Sequence, residues 1–123
     1  MKAFKILLIA VIAMVTSCPA NAQSNKSDRN VGIKTELIKV YGNCDMDKKR
    51  IEKAAQSVHG VKTAVWGEDT QILTLKYNVS IENVADNVQK KIASVGNDTE
   101  KYSADDAVYQ KLPECCHYQR KKS

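Results

Sequence analysis

Aromatic residues are scarce in this 123-residue chain, with one Trp, one Phe and five Tyr. Any core it forms must be largely aliphatic. Histidine is scarcer still, two in all, and no Ser/His/Asp or Cys/His arrangement of the kind nucleophilic catalysis needs is visible. No apolar stretch approaches the roughly 20 residues of a membrane-spanning helix. The run from Ile6 to Val15 has about half that length. There is no Cys-x-x-Cys pair, which removes the usual thiol oxidoreductase from consideration. What is present is a globular balance, 43% hydrophobic against 27% charged residues, at a length that allows one small domain.

The N-terminus reads as an address rather than as structure. Lys2 and Lys5 precede the Ile6 to Val15 run, and Ala20-Asn21-Ala22 follows as a small-x-small cleavage site, the order of a secretory signal peptide over residues 1–22. Val15-Thr16-Ser17-Cys18 is an alternative, a loose bacterial lipoprotein box that would leave Cys18 lipid-anchored. Either way export is expected, with the bacterial periplasm as destination. Loss of Lys2 and Lys5 lowers the 19 basic residues to 17 against 14 acidic ones. That small excess gives nucleic-acid binding little support. The remaining cysteines, Cys44, Cys115 and Cys116, are odd in number. In an oxidising compartment at least one must be free, shared between chains, or a metal ligand.

Residues 23–32 are polar and read as a flexible linker. Ile33 to Tyr41 is β-rich, with Ile38 and Val40 on one face and Leu37 on the other. Asp45 to Val58 carries Ile51, Ala54, Ala55 and Val58 at helical spacing. Val61 to Trp66 and Gln71 to Tyr77 read as a hairpin. Ser80 is expected to cap a second helix with the stripe Ile81, Val84, Ala85, Val88, Ile92 and Val95, closed by Gly96. Asp98 to Tyr102 is expected as a fourth strand, and Ala104 to Leu112 as a short helix stopped by Pro113. The order β-α-β-β-α-β makes an α+β, ferredoxin-like domain over residues 33–102, a four-stranded antiparallel sheet with two helices on one face. Residues 103–123 form a C-terminal extension.

Gly42-Asn43-Cys44-Asp45-Met46-Asp47 joins the first strand to the first helix. With Val40-x-Gly42, the Ile51/Ala54/Ala55 face, Gly60-Val61 and Gly96-x-Asp98-Thr99, it resembles the heavy-metal-associated domain, the family of copper chaperones and the periplasmic mercuric-ion-binding protein. The resemblance implies a soft-metal site in this loop. The family motif has two cysteines at Cys-x-x-Cys spacing, suited to Cu(I) or Hg(II); here Asp47 stands at the second position. Cys44, Asp45, Met46 and Asp47 still offer one thiolate, one thioether and two carboxylates, a mixed set better suited to Zn(II) than to Mg or Ca. The alternative is a loop without metal, in which Asp45 and Asp47 are ordinary first-turn carboxylates. Lys48, Lys49, Arg50 and Lys53 form a basic helix face. The resemblance implies docking of an acidic metal-transport or acceptor protein there; an ordinary solvated face is the other reading.

Cys115, Cys116 and His117 lie beyond the minimal domain and are candidate ligands too. A fourth strand antiparallel to the first would end opposite the Cys44 loop, so the tail must travel back. The dozen residues from Ser103 to Glu114 span about 18 Å if helical and about 40 Å if extended, enough to bring the tail cysteines to Cys44. The expectation is therefore an exported, non-enzymatic heavy-metal-binding or carrier module for Cu(I), Zn(II) or Hg(II). The competing expectation is a ferredoxin-like interaction module with structural or redox cysteines.

Overall fold

Alternation of apolar residues decides the sheet. In β1 (Ile33–Lys39), Ile38 is buried while its neighbour Leu37 is 63% exposed, as a period of two requires. β2 (Val61–Gly67) buries Ala64 and Trp66, and β3 (Ile72–Asn78) buries Leu73, Leu75 and Tyr77. The structure, a computed structural model, describes residues 32–122. The expected leader with Cys18, and all of the linker except Gly32, lie outside the described residues. β3 is central: it pairs antiparallel with β1 through Leu37↔Thr74 and with β2 through Val65↔Thr74, giving the order β1-β3-β2.

Helices α1 (Asp45–Gln56) and α2 (Val84–Ser94) lie on the sheet and pack against each other. One cluster joins Ile38, Val40, Ile51, Ala55, Trp66, Leu73, Leu75, Val84, Val88 and Ile92. The core is mostly aliphatic, as expected, with the single tryptophan fully buried in it. The Trp66 indole N–H is satisfied by donating to the Val40 carbonyl at 2.9 Å, as a buried indole must be. None of the helices among the described residues is long and apolar enough to cross a membrane.

Two expectations are corrected. Among the described residues the sheet has three strands, not four, and Asp98 to Tyr102 contributes only the isolated bridge Val40↔Thr99. The ladder starts, with Tyr41 N donating to Asp98 O and Glu100 N to Lys39 O. It then stops because side chains take the next backbone donors. The Glu100 carboxylate accepts from Lys39 N, and the Thr99 hydroxyl accepts from Tyr102 N. The second correction concerns Ser80, which does not cap α2. Its N–H and hydroxyl both donate to the Asn78 side chain, an Asx turn that delays the helix to Val84. Beyond the domain, α3 (Asp106–Gln110) and a 3₁₀ turn (Glu114–Cys116) carry the tail back towards the start of α1.

Candidate metal centre

Cys44 is the N-cap residue of α1, extended in backbone, with its carbonyl accepting the first helical bond from Lys48 N. The approach to it is tight. A Cβ on Gly42 would lie 3.0 Å from both Asp47 Cβ and the Trp66 ring, so only glycine lets the chain pass between them without displacing either. Gln71 clamps the same residue: Gly42 N donates to its Oε1 and its Nε2 donates to Gly42 O. The thiol of Cys44 is thereby held on a backbone fixed from both sides.

Asp47 turns inward. Its side chain is fully buried, Oδ2 accepts from Asn43 N at 2.8 Å, and Oδ1 accepts from Arg50 Nη1 at 2.6 Å and from Asn97 Nδ2 at 3.0 Å. Both carboxylate oxygens are engaged in holding the loop and the helix start; Oδ2 also lies 3.9 Å from Cys44 Sγ, but Asp47 is not one of the three residues whose ligand atoms are all mutually close. Arg50 continues the chain of contacts, its Nη2 donating to the Cys116 sulfur at 3.3 Å. Burial disfavours the Arg50 charge, but Cys116 and Asp47 together hold the guanidinium above its ordinary pKa.

The gathered atoms are three sulfurs. Cys44 Sγ lies 3.5 Å from Cys116 Sγ and 3.9 Å from Cys115 Sγ, and Cys115 and Cys116 are 3.9 Å apart. Among the described residues this is the group of His, Cys, Asp and Glu side chains close enough to share an ion. A triangle with those sides has its centre about 2.2 Å from each corner, close to a metal–thiolate bond of about 2.3 Å. The three thiols differ in access: Cys116 is buried, Cys44 is half-buried and Cys115 is exposed. Burial pushes the Cys116 thiol up to about 11, with the Arg50 hydrogen bond acting in the opposite direction.

The other expected ligands divide. The Met46 sulfur is 3.5 Å from Cys115 Sγ, and the side chain is 47% exposed at the mouth of the group. His117 is not part of it. Its ring packs against Tyr109 at 4.9 Å, and its Nε2 is buried with no partner among the described residues. Of the basic face, Lys48 is committed to Glu52 and to the Trp66 carbonyl and Arg50 points at Cys116, while Lys49 and Lys53 are exposed. Asn97 donates to both Tyr41 O and Asp47, a supporting role that the sequence pattern does not single out. The Gly96-x-Asp98-Thr99 pattern beside it was the available signal. Arg120, which donates to the Asp98 carboxylate, and Tyr118, whose hydroxyl donates to Gly96 O, carry no such signal, because nothing local in the sequence says which partner an isolated polar side chain takes.

In fold, part of the chain resembles two solved structures. A structure described as CopZ metallochaperone superposes with a TM-score of 0.50 at 22% identity, covering 54% of this chain and 98% of that one. A solution structure described as that of "the putative copper-ion-binding protein from Bacillus anthracis str. Ames" superposes with a TM-score of 0.51 at 16% identity, covering 55% and 96%. No family model matches the chain, and no curated protein matches it by sequence. Each neighbour is spanned almost end to end, and close to half of this chain lies beyond the match. At 22% and 16% identity the likeness is one of fold.

Proposed function

We propose that the chain is a soft-metal carrier that binds one ion, Cu(I) in the first instance, through the thiolates of Cys44, Cys115 and Cys116. The observation that carries this reading is the sulfur triangle with sides of 3.5, 3.9 and 3.9 Å. Asp47 Oδ2 lies 3.9 Å from Cys44 Sγ but already accepts from Asn43 N, and His117 is outside the group, so the three donors that gather together are all sulfur, with the exposed Met46 thioether beside Cys115. Such a set favours Cu(I) or Hg(II); Zn(II) would need a fourth ligand to complete its tetrahedron. The fold likeness to the CopZ metallochaperone and to the Bacillus anthracis structure titled for copper-ion binding supports the same class.

In this reading the ion is cargo and the protein is not an enzyme. Cys116 supplies a buried, hydrogen-bonded ligand, and Cys115 with Met46 forms the exposed side from which an acceptor's thiol could take the ion. An acidic acceptor would meet Lys49 and Lys53, the exposed members of the basic helix face. The leader sequence supports export to a bacterial periplasm, either free after cleavage at Ala22 or anchored through Cys18.

Elemental analysis of protein purified without added metal, followed by competition titration with a Cu(I) chelator, tests the proposal. One ion per chain is expected, with affinity falling at least tenfold in Cys44→Ser and in Cys116→Ser. The 3.5 Å separation of Cys44 and Cys116 also favours a second reading, a redox pair. That reading predicts no metal and the loss of two free thiols per chain in air.

A further inference from the structure

The turn from Gly96 to Thr99 touches both halves of the sulfur group. On one side Asn97, fully buried, donates from Nδ2 to the Tyr41 carbonyl at 2.9 Å and to Asp47 Oδ1 at 3.0 Å, so it holds the loop that carries Cys44. On the other side the next residue holds the tail. The Asp98 carboxylate, 1% exposed, accepts from Arg120 Nε at 2.8 Å and Arg120 Nη2 at 3.0 Å. It also accepts from Ala104 N at 2.7 Å and Lys121 N at 3.1 Å. Tyr118 adds a second tie: its hydroxyl donates to Gly96 O at 2.7 Å and accepts from Asp98 N at 2.9 Å. Gly96 itself, at φ +113, leaves the space that Leu112 fills.

Cys115 and Cys116 lie between these ties, with Leu112 before them and Tyr118 and Arg120 after. The 3₁₀ turn that carries them makes few contacts with α1, and beyond each other its sulfurs contact only Cys44, Arg50 and Met46 among the described residues. Sulfur contacts of that kind are weak, whereas a bidentate Arg–carboxylate pair is among the stronger hydrogen-bonded interactions. The location of the tail thiols is therefore set at Asp98, not at the thiols.

We infer that Asn97 and Asp98 are positioning residues that preassemble the three-thiol site, one fixing the loop of Cys44 and the other the tail of Cys115 and Cys116. Adjacent in sequence on one rigid turn, they convert two distant segments into one site before any ion arrives. The consequence for affinity rests on the metal-carrier reading; the consequence for thiol exposure does not.

The test compares Asp98→Asn and Arg120→Gln with the unaltered chain, each also in a Cys115→Ser/Cys116→Ser background. In metal-free protein the alkylation rate of Cys116 by iodoacetamide, resolved by peptide mass, is expected to rise tenfold or more towards that of Cys115. Cu(I) affinity is expected to fall roughly 10- to 100-fold, the range for residues that support metal ligands from behind. In the background lacking the tail thiols, the same substitutions are expected to leave affinity unchanged, since a residue acting through those thiols has nothing left to position. Unchanged Cys116 labelling in both variants overturns the inference. So does an affinity loss of equal size in the background, which would mean general loosening. If the unaltered chain binds no Cu(I), the carrier reading fails and the labelling alone decides the positioning role. Should Asp98→Asn lose the buried Trp66 fluorescence, Arg120→Gln, at a partly exposed residue of the tail, decides it.

Discussion

The sulfurs of Cys44 and Cys116 lie 3.5 Å apart although 72 positions separate the two residues. A vicinal disulfide between Cys115 and Cys116 would be strained, so metal-free protein treated with diamide is expected to join Cys44 to Cys116. Mass spectrometry of a non-reduced digest checks this. Recovery of a Cys115–Cys116 bridge as the main product would contradict the arrangement of the three thiols, and loaded protein is expected to resist the reaction.

Restoring the family motif by Asp47→Cys is expected to weaken the protein instead of creating a better site. The substitution removes the acceptor of Asn43 N, Arg50 Nη1 and Asn97 Nδ2. It also leaves a largely buried guanidinium without its carboxylate. Breaking such a pair from one side costs about 3 kcal/mol. Urea unfolding followed by Trp66 fluorescence measures the loss. A variant as stable as the parent, with higher Cu(I) affinity, would mean the Asp47 network has little energetic weight.

Packing sets a third expectation. Truncating Leu75 or Val88, both fully buried, to Ala should cost about 2 to 4 kcal/mol, transfer and cavity terms together. Gly42→Ala adds only one methyl, but it meets the Trp66 ring and Asp47 Cβ at 3.0 Å, and overpacking of that kind costs about 1 to 3 kcal/mol. Because the displaced atoms flank Cys44, Gly42→Ala should also lower metal affinity, whereas Leu75→Ala should leave it nearly unchanged. Equal effects of the two on affinity would argue against a loop held in place by that close approach.

Acid should loosen the tail through Asp98. Burial opposes ionisation of this carboxyl, but Arg120 and the Ala104 and Lys121 N–H donors outweigh it and hold the group below its ordinary pKa. A carboxyl with a lower pKa in the folded than in the unfolded chain stabilises the fold above the unfolded value, about 3.9. That contribution is lost as pH falls through the folded value. The stability difference between the parent and Asp98→Asn is therefore expected to be constant from pH 5 to pH 8 and to shrink below about pH 4. Urea midpoints measured across that range check it, and a difference that persists undiminished to pH 2 would remove Asp98 as its source.

Hydrophobic spacing alone was enough to find α1, the β2–β3 hairpin and the face that buries Leu73, Leu75 and Tyr77, because burial on one side of a helix or strand leaves a period in neighbouring residues. The same spacing puts Cys44 at the start of a helix, and the number of residues from Ser103 to Glu114 is enough for the tail to return to it. Polar choices left no period. Ser80 could bond to Asn78 or cap α2, Glu100 could extend the sheet or end it, and Asp47 could face an ion or Arg50. In each case the outcome depended on partners brought close by the rest of the fold. The meeting of Cys44 with Cys115 and Cys116 belongs to the same class: chain length allowed it, but Asn97, Asp98, Tyr118 and Arg120, paired across the turn at Gly96, decided it.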